Sequence, residues 1–380
     1  MKISDIEVVV LETPGEYGSE AGGDLHGIKY TCVFVVRTDE GITGYSQIES
    51  QPHVAAAIVE APGEGSGFFS GLRSLGVGED PLQVEALWSR LFLGSYYYGR
   101  RGAVIQAISG IDIACWDILG KATGLPVCTL LGGRRRDRAT AYASTLFRPS
   151  PAEVRASAEE YGARGFRAVK FGWGPFGEDA RRDIALAEAA RDGLGPDREL
   201  MIDAGWRRRR TAKEAINLVR SIEHVGPYWV EEPCFPDDYE TYRRLTESVS
   251  VRIAAGEAET SLSDFHRLVD GPCVDVVQPD LSRCGGLTIG RRVAYLADAK
   301  NVQLCPHAWG SELLTAATLH FVAFLPADTF LEFNVSGDPV SRGLLASPFE
   351  VRDGQVEVPA GPGLGVEVDE ERLAALRAPR

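Results

Sequence analysis

Positive charge is in short supply in this chain. Its 40 Lys and Arg residues face 54 Asp and Glu, a formal net charge of −14. A nucleic-acid partner is excluded on that ground, because such partners need basic surface to release counterions. An apolar run of the roughly 20 residues that a bilayer crossing needs is also lacking, so no membrane partner is expected. The opening MKISDIEVVVLETPG is broken by Asp5, Glu7 and Glu12 and reads as a strand rather than a signal peptide. Cysteine is sparse: seven residues, an odd number, without close paired spacing. Reduced, buried thiols in a cytoplasmic protein are the expectation. The acidic field would also repel a small anionic substrate, so any attraction must come from a bound cation or a few local Lys and Arg.

Acids are what the chain has, and six polar residues of its second half are placed with regularity. Asp203, Glu231, Glu257, Asp280, His307 and Glu332 follow one another at spacings of 23 to 28 residues. Each stands at or just past a short apolar or β-branched run: ELMID, YWVEE, RIAAGE, VDVVQPD, VQLCPH, FLEF. A run followed by a helical stretch at that pitch is a βα unit. In a closed parallel barrel the C-terminal strand ends meet in one mouth, where enzymes of this architecture carry their chemistry.

The length of 380 residues allows more than one module. Residues 1 to about 125 read as an α+β unit: strands near 3–11, 29–37 and 43–48, a helix opening at Asp80-Pro81-Leu82-Gln83, and a helix from about 102 to 123 with apolar residues at helical spacing. From 126 to 345 strands and helices alternate. Strands are expected near 139–145, 166–171, 199–203, 228–231, 252–256, 274–277, 302–305 and 329–333. Capping boxes are expected at Ser150–Glu153 and Thr211–Glu214. The fold class is therefore α/β, a (β/α)7β TIM-type barrel with an α+β capping domain. The tail, 346–380, has a strand-like EVRDGQVEV segment and a Gly/Pro-rich stretch; it is expected to pack back on the N-terminal module and complete it.

Asp203, Glu231 and Glu257 are carboxylates on three consecutive strands. Brought together without a cation they would repel, and one or more would protonate. An oxygen-only set free of Cys and His points to Mg²⁺ with open positions for substrate or water. Asp280 and His307 end adjacent strands, where a carboxylate can orient an imidazole and raise its basicity for general acid/base work. Lys170, near the end of strand 166–171, could hold a carboxylate or stabilise an enolate oxygen, with service as the base itself the alternative. Glu332 could donate or accept a hydrogen bond there. Glu232 points away from Glu231 if the strand alternates. His224, His266 and His320 read as structural; His26 and His53 could lie in substrate-facing loops.

Two stretches stand outside this scheme. Residues 206–210, Trp-Arg-Arg-Arg-Arg, read as a solvated basic loop that could otherwise gather an anion. Gly172-Trp173-Gly174-Pro175-Phe176-Gly177 matches GxGxxG after a strand, which would suggest a nicotinamide-dependent oxidoreductase. Pro175 removes an N–H that phosphate would want, and Trp173 adds bulk where backbone must approach closely.

Taken together, VKFG, MIDAGW, WVEEP, AAGEAE, VVQPDLSRCGG, CPHAW and LEF resemble the enolase superfamily, in its mandelate racemase/muconate lactonizing enzyme-like branch, over nearly the whole chain. The resemblance implies Mg²⁺ on Asp203, Glu231 and Glu257, a His307–Asp280 dyad on one face, and Glu332 as a hydrogen-bonding acid. It also implies a small-molecule carboxylate substrate, an enediolate intermediate and a homo-oligomer. The sequence departs from the branch where a second lysine often follows the first by two residues: that position is Gly172. A histidine two residues after the third-strand acid is also missing, replaced by Gly205. One acid/base on one face suits β-elimination from an aldonate or aldarate, giving a 2-keto-3-deoxy acid. An epimerase, racemase or cycloisomerase on the same scaffold is the alternative, and a non-catalytic barrel a further one. Cap loops near 13–30 and 48–53 are expected to read substrate stereochemistry.

Overall fold

The computed structural model describes the backbone of residues 1–18, 24–335 and 342–379, and the side chains of those outside 14–28. Three antiparallel strands open the chain: β1 (Ile3–Gly18), β2 (Asp24–Thr38) and β3 (Thr43–Ile48), in the order β1-β2-β3. The helix Ala103–Thr123 packs across β2 and β3, ending on Gly124 in the left-handed conformation at φ 71°. By length and composition this 21-residue helix could cross a membrane, but 83% of its most apolar window is buried inside the protein. It is the central core helix of the cap. The helix expected at Asp80 begins instead at Val84. Asp80 spends its carboxylate on the amide of Leu82, 3.0 Å away, closing a turn before the helix can start.

The barrel strands are β4 (Arg138–Leu146), β5 (Ala168–Gly172), β6 (Glu199–Asp203), β7 (Trp229–Glu231), β8 (Arg252–Ala255), β9 (Val276–Val277), β10 (Gln303–Leu304) and β11 (Phe330–Asn334). They are parallel, in the order β10-β9-β8-β7-β6-β5-β4-β11. Among the described residues no ladder joins β10 to β11. The seam is crossed instead by side chains, as where Cys305 Sγ reaches the Phe330 carbonyl at 3.4 Å. Helices follow the strands at the mouth, their first amides held by Ser150, Asp179, Thr211, Asp238, Ser261 and Ser311. Both expected capping boxes are present.

The tail serves both layers. A twelfth strand, β12 (Gln355–Glu357), pairs antiparallel with β4 of the barrel. The segment beyond it returns to the cap, where Val368, Leu373 and Leu376, with Leu345 from before the strand, pack on Val9, Leu11, Val33 and Val35.

The barrel interior is layered. Tyr142, Ala168, Met201, Trp229, Ala254, Val276 and Cys305 form a buried floor, closed by Phe330. A strand turns the same face inward every second residue. One step up from each floor residue stand Ser144, Lys170, Asp203, Glu231, Gly256, Gln278, His307 and Glu332. The layer above an apolar floor is thus almost wholly polar, and it faces the mouth.

Candidate active site

Asp203, Glu231 and Glu257 each offer a carboxylate oxygen within 4.8 Å of the others. Asp203 and Glu231 arrive by simple alternation; Glu257 does not. On β8 the inward step falls on Gly256, whose backbone is left-handed at φ +131° and where a Cβ would lie 3.1 Å from the Gln278 amide nitrogen. The turn at Gly256 swings Glu257 into the site one residue late. All three acids are buried. Burial, with the Glu231 charge beside it, pushes the Asp203 carboxyl well above the usual carboxylate range. Burial also raises Glu231, against the pull of Lys170. Three acids at this separation carry charge that the surrounding donors do not neutralise. Their oxygen-only chemistry and spacing fit a hard divalent cation.

His307 lies beside them. Its Nδ1 is 2.6 Å from Asp280 Oδ2, and its Nε2 is 3.1 Å from Glu257 Oε2 and 3.8 Å from Glu332 Oε2. Asp280 is oriented in turn by the Ser282 amide and hydroxyl, at 2.7 and 2.6 Å on Oδ1. Burial disfavours the imidazolium, but the charges of Glu257 and Glu332 and the bond to Asp280 outweigh it and hold the His307 pKa well above its ordinary value. Asp280 stays below its own ordinary value, because the His307 bond and the Arg283 charge overcome its burial.

Lys170 Nζ sits between Glu231 Oε1 at 2.7 Å and Glu332 Oε1 at 3.0 Å. Burial works against its charge, yet those two carboxylates keep the ammonium protonated. Lys170 is placed as a fixed positive charge. Glu332 accepts from Ser144 Oγ at 2.7 Å and from the Ala308 amide at 2.6 Å. Burial would raise it; Lys170 and His307 bring it down to about 2. Of the two roles open to Glu332, acceptor is the one this geometry presents.

The remaining expectations separate. Glu232 does not point outward: β7 ends at Glu231, and Glu232 takes φ 44°, which turns its side chain inward. It is buried, it senses the charges of Glu257 and Asp203, and its Oε1 has no hydrogen-bond partner among the described residues. His224 and His266 pair with Glu188 and Asp270 on the surface, and His320 accepts from the Cys128 amide in the core, as structural histidines. His53 stacks edge-on against Tyr30 and lines a groove on the cap, away from the catalytic cavity. The His26 side chain and much of the 13–30 loop lie outside the described residues. The amides of Trp173, Phe176 and Gly177 are already donated to Asp203 O, Trp173 O and Asp183 Oδ1. The GxGxxG stretch therefore has little to offer a pyrophosphate.

Two residues not singled out in the sequence complete the site. Glu49, from the cap segment after β3, lines the catalytic cavity and meets Arg283 NH2 at 2.5 Å. Arg283 also reaches Glu257 Oε1 at 3.3 Å and lies 3.8 Å from Asp280 Oδ2. One guanidinium thus ties the cap to the acid triad and to the dyad. Thr145, Leu146, Gly172 and Trp173 also line the cavity, and Lys170 is the one lysine among the described residues that does so. A side chain at Gly172 would meet Asp203 Cβ at 2.8 Å, so the space of a second lysine is taken by the Asp203 carboxylate.

The family model for the mandelate racemase / muconate lactonizing enzyme N-terminal domain matches residues 25–132, and the enolase C-terminal domain-like model matches 153–372. The chain is 33% identical to D-galactarolactone cycloisomerase of Agrobacterium fabrum across the full length of both. It is 34% identical to D-galactonate dehydratase of Variovorax paradoxus, over 89% of this chain and 88% of that one. A racemase from Streptomyces coelicolor A3(2), solved with bound magnesium, superposes with a TM-score of 0.85 at 30% identity, over 99% of this chain and all of the other. The fold agrees with these matches, and the chain belongs to the mandelate racemase/muconate lactonizing enzyme branch of the enolase superfamily.

Proposed function

We propose that the protein is a Mg²⁺-dependent dehydratase of a sugar acid, an aldonate or aldarate, that yields a 2-keto-3-deoxy acid. One observation carries this reading: among the described residues His307 is the one imidazole that lines the cavity beside the acid triad, while Lys170 is tied to Glu231 and Glu332 and the position two residues on is Gly172. Asp203, Glu231 and Glu257 would hold the ion, and Mg²⁺ bound there supplies the positive charge that makes the α-C–H of a carboxylate ligand acidic. The magnesium-bound relative supports the choice of ion.

The chain's own groups do the rest. With Glu257 committed as a ligand, His307 keeps Asp280 as its close partner and can present a free Nε2 to the substrate. Nε2 takes the α-proton; the C–H bond breaks and its electron pair moves into the carboxylate. Lys170 stabilises that charge from a fixed position. The pair then returns to form the C2–C3 double bond as the C3 hydroxyl leaves. His307 gives back the proton it took, so the leaving group departs as water. The enol product becomes the 2-keto acid. Proton removal and return on one face by one group give syn elimination. The seven cysteines are all free and buried, which suits a cytoplasmic enzyme.

The second reading is a cycloisomerase, favoured by the full-length match to D-galactarolactone cycloisomerase. The same His307 would then deliver its proton to carbon rather than to a departing hydroxyl. A panel of aldonic and aldaric acids with Mg²⁺, scored for 2-keto acid, tests the proposal. Keto acid from one or a few acids supports dehydration. Solvent deuterium entering recovered substrate or an isomer, with no keto acid, would overturn it in favour of isomerisation.

A further inference from the structure

The catalytic cavity is small, about 40 Å³, room for about three waters. It takes the reacting end of an acid and little more. Trp173 also lines a second cavity, of about 180 Å³. The two share Trp173, and both sit at the C-terminal ends of β5 and β6: Gly172 and Asp203 line the first, Gly174 and Ala204 the second.

Both stretches that fell outside the catalytic scheme line this second cavity. Trp173, Gly174 and Gly177 come from the glycine-rich turn; Arg207, Arg208 and Arg210 come from the arginine loop. Trp173 holds φ 52°, a left-handed conformation that costs a non-glycine residue about 1 kcal/mol or more. Its ring lies against Gly205, where a Cβ would be 3.3 Å from the indole. The two loops are thereby locked together around the ring.

Charge distinguishes this cavity from the rest of the mouth. Lys170 is matched by Glu231 and Glu332, and Arg283 by Glu49, Glu257 and Asp280. The arginine loop meets one carboxylate and several backbone carbonyls. Arg207 pairs with Glu178 at 2.9 Å, Arg208 reaches the Glu178 carbonyl at 3.4 Å, and Arg210 is buried with NH1 on the carbonyls of Gly205 and Pro233. Asp183 and Glu214 add their fields. Four guanidiniums thus stand in a row, with Arg182 beside them, in a protein whose net charge is −14, and Glu178 is the acid that shares the cavity lining with them.

We infer that this second cavity is a subsite for the distal carboxylate of a dicarboxylic sugar acid, gripped by Arg207 and Arg208 while Arg210 holds the loop in shape. The inference rests on the proposed anchoring of the first carboxylate at the Asp203–Glu231–Glu257 triad, and it names the substrate class as aldarate rather than aldonate. Guanidinium forks match carboxylates in geometry, and a local cationic pocket is what an anion needs to approach an acidic protein.

Matched six-carbon pairs that differ only at C6 test it: galactarate and galactonate, glucarate and gluconate, mannarate and mannonate. Dissociation constants are measured by calorimetry on the Mg²⁺-loaded protein in a His307→Asn background, so that ligand is not consumed. Expected is at least one pair in which the aldarate binds tenfold or more tightly than its aldonate. Arg207→Gln with Arg208→Gln should cut that ratio by about fivefold or more, and Glu178→Gln should raise it. Melting temperature reports whether each variant is folded, and the opposite shift in Glu178→Gln keeps the test alive if the double variant is not. No aldarate advantage in any pair, or an advantage untouched in both sets of variants, overturns the subsite. Because binding is read without turnover, failure of the dehydratase reading is a separate result: aldarate preference with no keto acid from the active protein.

Discussion

Asp280 Oδ2 accepts a 2.6 Å hydrogen bond from His307 Nδ1, and the opposite ring nitrogen is thereby aimed at the acid triad. The carboxylate fixes which nitrogen carries the proton and which one works. His307→Asn should abolish keto-acid formation and exchange of the α-proton with solvent while Mg²⁺ affinity, read by calorimetry, survives. Asp280→Asn keeps the shape but loses the charge that orients the ring. It should lower kcat by about 10²- to 10⁴-fold, the usual worth of a positioned acid/base. Retention of kcat in either variant would remove His307 from the mechanism.

Glu257→Gln and Asp203→Asn test the triad directly. Each deletes one of three charges that face each other within 4.8 Å. Mg²⁺ affinity should fall tenfold or more in both, and the loss should be larger than for Glu232→Gln, which removes a neighbouring acid that lies off the triad. Unchanged affinity in Glu257→Gln would mean that the ion, if bound at all, is held elsewhere.

Lys170 is buried between two buried carboxylates, with side-chain exposures of 4% for the lysine and 0% for Glu231 and Glu332. Lys170→Met leaves those acids facing one another without their cation. Removing one partner of a buried pair costs about 3–5 kcal/mol. The denaturation midpoint should drop accordingly, and Mg²⁺ should restore part of the loss by supplying positive charge to the same acids. A variant as stable as the parent without Mg²⁺ would show that the ammonium is not needed to hold the acids together.

His320 gives the protein an acid-sensitive core. It is buried, and burial lowers its pKa from 6.5 to about 4. The unfolded chain therefore binds a proton that the folded chain refuses between those values. Stability is present above pH about 6.5 and is lost as pH falls towards 4, by up to about 3 kcal/mol. His320→Gln should flatten that arm of the stability–pH curve. A curve identical to the parent's between pH 4 and 6.5 would contradict it.

Much of this was legible in the sequence, because a parallel barrel turns regular spacing into shared position. Asp203, Glu231, His307 and Glu332 each stand two residues beyond a floor residue, so a strand-end reading finds them. Glu257 and Asp280 were also found, but strict alternation would have chosen Gly256 and Gln278 in their place. Only the left-handed turn at Gly256 explains Glu257. The same local physics hid Glu232: at φ 44° the backbone leaves the strand, and alternation no longer says which way a side chain points. Glu49 was out of reach for another reason. It enters from the cap, more than 200 residues from its partner Arg283, and nothing local marks that pairing. The arginine loop was read as solvated from its run of charge, and Arg207 to Arg209 are exposed; the cavity that Arg207, Arg208 and Arg210 share with the glycine-rich turn exists only once β5 and β6 are side by side.

Gly172 occupies the position at which the proposed one-base site lacks a second lysine. A Cβ built there falls 2.8 Å from Asp203 Cβ and 2.9 Å from its Oδ2, closer than atoms tolerate. The acid cannot retreat freely, since Gly205 N holds its Oδ1 at 2.9 Å. Gly172→Ala should therefore displace the Asp203 carboxylate and weaken Mg²⁺ binding about tenfold or more, the scale on which disturbed ligand positioning acts. Gly172→Lys should do the same, and should not convert the enzyme into a racemase, because a base gained there displaces a ligand of the ion it depends on. Proton exchange on both faces of a substrate by Gly172→Lys, with Mg²⁺ affinity intact, would show that the position has room for a second base and that its absence is not dictated by Asp203.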